Sequence, residues 1–220
     1  MLKIIIITII VGLLGCLLHF TYEWSGRKKF VALFSAINES VWEHIKIALI
    51  PTLIFCLLSP IIYGNGYFYM LFGELHFYFS PQFFVPMAAT LLATIVLIPL
   101  LFYSILAIMK KHNVIVSIIE FFVTIFLSQI IFVVVMDMPG DPFSNPFLGY
   151  CGLGTGLDGM VPCYTDSTII LSVAIIALVI LAVLLFTFFP PKFFLFRDSR
   201  NGKYGFAAVE KHKHKKSHHH

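Results

Sequence analysis

The chain has 220 residues, of which 59% are hydrophobic and 12% charged, with a mean hydropathy of +0.93 and a net charge of +4. A soluble domain carries about 25% charged residues, so this composition excludes a water-soluble globular protein and assigns most of the chain to lipid. The positive charge collects at segment ends and in the C-terminal tail, which suits an anionic bilayer surface, and no nucleic-acid-binding module is visible.

A crossing helix needs roughly 20 apolar residues. Five stretches meet that need, near residues 2–22, 45–63, 84–109, 114–136 and 168–189. The expected fold is all-α, a polytopic helical membrane protein forming a single integral membrane domain over residues 1–206. A basic, His-rich tail over 207–220 is expected to be disordered and is left out of any site. In the first stretch, Leu13-Leu14-Gly15-Cys16 resembles a lipoprotein cleavage site. The apolar run continues through Leu17 and Leu18, so a retained helix is expected. Pro51 and Pro60 in the second stretch, and Pro86 and Pro99 in the third, read as kinks, because neighbouring helices can satisfy the freed backbone groups.

The loops orient the chain. Arg27, Lys28 and Lys29 follow the first stretch, Lys110 and Lys111 the third, and Lys192, Arg197, Arg200 and Lys203 the fifth. Loops 64–83 and 137–167 contain neither Lys nor Arg. Positive charge favours the cytoplasm, so the expected topology has the N-terminus outside and the C-terminus inside a cell membrane. Residues 67–84 carry nine aromatic side chains around Glu74 and His76. An interfacial aromatic belt is expected there, with a gating flap as the alternative. The outer loop 137–167, rich in Gly, Pro, Asn and Asp, should be irregular, and Cys151 and Cys163 in it are candidates for a disulfide.

This topology draws polar residues to one membrane level: His19 and Glu23, then Asn38, Glu39, Ser40, Trp42, Glu43, His44 and Lys46, and Glu120 about 10 Å into the fourth stretch. Ionisable groups at such positions need a partner, a cap or a function. A structural account reads Ser40-Val-Trp-Glu43 as a capping box, Trp42 as an interface anchor, Lys46 as a snorkelling cation and Glu23 as the partner of Arg27. A functional account makes Glu39 and Glu43 candidate catalytic bases and His19, His44 and Glu120 candidate ligands for a divalent metal. Glu120 is the hardest to explain structurally, since its neighbours Ile118, Ile119, Phe121 and Phe122 are apolar.

Two stretches carry a family resemblance. One includes His19-Phe-Thr-Tyr-Glu-Trp-Ser-Gly and Asn38-Glu-Ser-Val-Trp-Glu-His-Ile-Lys46. The other runs Phe-Pro-Pro-Lys-Phe-Phe-Leu-Phe-Arg197-Asp198 to Tyr204-Gly205. Both resemble DUF6512, a domain of unknown function in small prokaryotic membrane proteins. The resemblance implies a multi-span helical fold over the chain apart from its tail, and implies no activity. Loop 137–167 is longer than that family's pattern. Arg197 and Asp198, on the same side as the first stretch, are expected to pair with Glu39, Glu43 or Lys46, or to anchor the chain at the bilayer surface.

Three functions remain open at this stage. The first is a membrane protein whose motifs simply cap helices. The second is an intramembrane metal-dependent hydrolase or transferase acting on lipid or peptide. The third is a small proton- or cation-coupled transporter.

Overall fold

The computed structural model describes residues 2–62, 67–71, 74–78, 81–110, 114–137, 148–152 and 160–209, with side chains described outside 60–81, 148–152 and 160–163. Five helices form the body of the protein: α1 (Leu2–Trp24), α2 (Val41–Ile62), α3 (Phe84–Met109), α4 (Val114–Asp137) and α5 (Asp166–Phe188). Each is long and apolar enough to cross a membrane. Ile9 and Leu13 of α1, Val96 and Leu100 of α3, and Leu178 and Leu181 of α5 are exposed. Large apolar side chains on an outer helical surface are what lipid contact requires.

The sequence-derived boundaries hold within a few residues, with the largest difference at α2. It begins at Val41 rather than near residue 45, because Ser40 caps it and its first polar residues are paired inside the protein. Pro51 and Pro99 sit within continuous helices. Helix α3 packs on α2, α4 and α5, while α1 packs on α2 and α4. The α1–α4 contact depends on small residues: a Cβ at Gly12 would lie 2.3 Å from the Phe122 ring, and one at Gly15 would lie 2.6 Å from the Phe121 ring. Close helix approach at glycine is a common way to pack helices where lipid supplies no hydrophobic drive.

The connections at one end form antiparallel hairpins, β1 (Tyr67–Leu71) with β2 (Glu74–Tyr78) and β3 (Leu148–Gly152) with β4 (Met160–Tyr164). The irregular loop expected over 137–167 is therefore partly ordered by strand pairing, which satisfies backbone groups that a loop beside lipid would leave bare. The backbone register sets Cys151 opposite Val161 and Cys163 opposite Gly149. The side chains of the candidate disulfide pair Cys151 and Cys163 lie outside the described residues, as do those of the aromatic stretch from Tyr67 to Tyr78 and residues 210–220 of the tail. Gln82 ties the two connections together: its Oε1 accepts the Tyr164 amide at 2.6 Å and its Nε2 donates to the Tyr164 carbonyl at 3.3 Å.

Candidate functional site

Because the helices alternate in direction, the C-terminal ends of α1, α3 and α5 meet the N-terminal ends of α2 and α4. The α1–α2 connection and the segment after α5 fold over this end, and the polar residues divide there into two groups.

The first group locks the two motif-bearing stretches together. Ser40 is the N-cap of α2, and its Oγ accepts the Glu43 amide at 3.4 Å. Glu43 does not reach back to Ser40, as a capping box would have it. Its Oε2 accepts the Ile37 amide at 3.0 Å and lies 2.6 Å from Lys46 Nζ. Lys46 also donates to the Ala32 carbonyl at 2.8 Å and is fully buried, so it does not snorkel to headgroups. An interior carbonyl and carboxylate satisfy the ammonium here, which a membrane surface would otherwise have to do. Asn38 accepts the Ser40 amide at 2.9 Å and donates to the Gly205 carbonyl at 3.2 Å.

Asp198, also buried, accepts the Glu39 amide at 3.1 Å and the Arg200 and Asn201 amides at 2.7 and 3.3 Å. Ser199 Oγ donates to the Glu39 carbonyl at 3.2 Å. Trp42 is a core residue rather than an interface anchor, with its ring 5.3 Å from Phe186 and 5.0 Å from Phe196. Gly205 has φ +53° and lies against Pro190, where a Cβ would sit 2.6 Å from the proline Cγ. The Pro-Pro and Tyr-Gly ends of the second motif are therefore in contact. Arg197, expected to join the acidic residues, has its guanidinium beside Gly202 instead. Arg200, which sequence reasoning did not select, approaches Glu39 at 3.8 Å and Asp198 at 3.4 Å. Its sequence signals are its place two residues after Asp198 and among the basic residues that follow the fifth stretch.

The second group is less tightly held. Glu39 lies between two imidazoles, with Oε1 3.4 Å from His19 Nε2 and Oε2 3.8 Å from His44 Nε2, and the two rings are 5.5 Å apart. These side chains are a quarter to a third exposed. The hydrogen bond from His19, helped by the charges of His19, His44 and Arg200, outweighs partial burial and lowers the Glu39 carboxyl from 4.5 to about 2. His44 Nδ1 lies 2.9 Å from the Ser40 carbonyl. A carbonyl can only accept, so Nδ1 carries a proton and Nε2 is left to gain or lose one beside Glu39. Glu23 is not part of this group. It pairs with Arg27 at 3.0 Å on the exposed side of α1.

Glu120 is 8% exposed and has no hydrogen bond or ion pair among the described residues. It lines a cavity of about 20 Å³ with His44 and Ser117, closed by Val41, Ile98, Phe102 and Phe121. That volume holds about one water molecule. His44 thus borders Glu39 on one side and the Glu120 cavity on the other. Among the described residues, no three His, Cys, Asp or Glu side chains are gathered as a metal ion requires.

Five membrane-crossing helices around a polar end define a multi-pass helical membrane protein. The chain belongs to a family of unknown function (DUF6512), whose profile matches residues 1–139 and 159–206. The unmatched interval falls within the connection between α4 and α5, while both polar stretches lie inside the match. No curated protein and no solved structure shows significant similarity to the chain.

Proposed function

We propose that this protein is a small proton-coupled transporter of the cell membrane, with His19, Glu39 and His44 as its cytoplasmic exchange site and Glu120 as the intramembrane proton carrier. The observation that carries this reading is the double position of His44, beside an ionised carboxylate and on the wall of the cavity that holds a buried, unpaired one. Imidazole is the side chain that changes charge between about pH 5 and 8, and an intramembrane acid without a partner is a functional group by default. The cytoplasmic assignment rests on Lys and Arg at this end, and the bilayer is the partner of the exposed apolar surface. A metal-dependent hydrolase or transferase gains less support, because the candidate base Glu43 is engaged by Lys46 and the Ile37 amide, and the described residues hold no group of three side chains placed for a metal ion.

The test is proton movement into proteoliposomes that enclose a pH-sensitive dye, under an imposed pH difference. Wild type should acidify the lumen faster than empty vesicles, and Glu120→Gln and His44→Ala should lose that excess while keeping wild-type elution on size exclusion. Equal flux in wild type and Glu120→Gln would sink the proposal.

A further inference from the structure

The middle of the bundle holds a second set of polar side chains. Thr52 of α2 and Thr124 and Gln129 of α4 are buried, with Gln129 only 1% exposed. Among the described residues, the hydroxyls of both threonines and both amide atoms of Gln129 have no hydrogen-bond partner. Threonine in an apolar helix ordinarily donates to the carbonyl one turn back. Thr90 and Thr94 of α3 do so, at 2.7 and 2.9 Å. Thr52 and Thr124 do not, and an amide facing hydrocarbon would be costly where a leucine would not.

These groups lie at neighbouring depths. The Phe55 and Phe132 rings, 5.7 Å apart, align α2 with α4, which runs in the same direction. Thr52 and Gln129 each precede those rings by three residues, about one turn nearer the polar end. Thr94 Oγ1 is 3.1 Å from Ser128 Oγ, which brings α3 to the same level. Residues 120, 124 and 128 recur every four positions, so one stripe of α4 leads from the Glu120 cavity past Thr124 to Ser128.

We propose that Thr52, Thr124 and Gln129 form an internal water site, continuous with the Glu120 cavity, that passes protons between Glu120 and the hairpin end of the bundle. The inference rests on the proton-exchange reading above. Hydroxyl and amide groups offer both donors and acceptors and no net charge, which suits water better than an anion or a bare cation. In each step the Glu120 carboxylic acid gives its proton to the adjoining water, which releases another proton to the next water. The carboxylate is then reprotonated from the His44 side, so only O–H and N–H bonds change and charge balances.

Silver ion reacts with thiols and is small enough to follow water, so it reports the site directly. In a chain whose Cys16, Cys56, Cys151 and Cys163 are replaced by alanine and which keeps wild-type elution, Gln129→Cys should be consumed by silver in proteoliposomes. Val123→Cys, on the exposed side of α4, should stay free for labelling after denaturation. Protection at both positions, or equal reaction at both, would overturn the water site.

In the native chain Gln129→Leu should lose proton flux while the Glu120 carboxyl infrared band still responds to pH; Thr124→Val replaces it if the leucine variant misfolds. Flux lost in Glu120→Gln but unchanged in Gln129→Leu and Thr124→Val would remove the water site and leave the exchange reading intact. Flux unchanged in Glu120→Gln would defeat the exchange reading, and the relay with it.

Discussion

Glu43 and Glu120 are both buried glutamates in apolar helices, 2% and 8% exposed, and their surroundings are opposite. Glu43 is saturated: an ammonium at 2.6 Å, a backbone amide at 3.0 Å and a capped helix start fix it in place. Glu120 has one small cavity and no ion pair or hydrogen bond among the described residues. Burial alone therefore does not separate an acid that holds the fold from one free to exchange a proton. The number of partners does.

The sharpest way to break this contrast is to remove a partner from the saturated acid. Lys46→Met should destabilise the protein by about 3–5 kcal/mol in denaturant or thermal unfolding in detergent, because it strands a buried carboxylate. The double variant Glu43→Gln/Lys46→Met should recover part of that loss, since neither charge is then unpaired. If the single and double variants are equally unstable, the pair is incidental and packing alone holds this end together.

Asp198→Ala tests the lock between the two motifs and should cost about 1–3 kcal/mol, because it leaves the Glu39 amide and the turn amides at 200 and 201 without their acceptor. Hydrogen exchange over residues 194–208 should accelerate before that of α2. Uniform acceleration across the bundle would mean the segment is not a separate unit.

Glu39 lies between the two extremes, and pH reports on it. Its carboxyl is lowered from 4.5 to about 2 in the folded protein, chiefly by the His19 hydrogen bond. A depressed folded-state value means the stabilisation is complete above pH 4.5 and is lost as pH falls towards 2. The group is about a third exposed, so screening leaves a contribution of about 1 kcal/mol. Glu39→Gln should therefore be less stable than wild type at pH 6 and converge with it near pH 2. Parallel stability curves across that range would show that the imidazoles do not hold the carboxylate.

The sequence revealed the five helices because continuous apolar runs of crossing length admit few other structures. It also revealed the common level of His19, Glu39, Glu43, His44 and Glu120, which follows once helix directions alternate. It did not reveal how those residues divide. Lys46 turns inward because Ala32 and Glu43 present acceptors there, and a stem long enough to snorkel looks the same in sequence. Asp198 meets the Glu39 amide across 159 residues, a pairing no local pattern encodes. The hairpins were hidden in turn-rich loops whose strands are only five residues long.

The smallest expected change in stability falls on the acid with the fewest partners among the described residues. Glu120→Gln removes no ion pair and no hydrogen bond among the described residues, and it exchanges an ionisable group for a neutral one of nearly equal volume in a cavity of about 20 Å³. Unfolding should therefore shift by less than about 1 kcal/mol, in either direction, since a neutral amide is cheaper to bury than a carboxylate. The matched substitution Glu43→Gln should shift it several times more, because it strands the Lys46 ammonium. A large loss at Glu120 would mean that this acid too is held by a partner, and the division between a locking and an exchanging carboxylate would fail. Near-equality with wild type, together with lost proton flux, would place the function of this end of the bundle on its least-constrained acid.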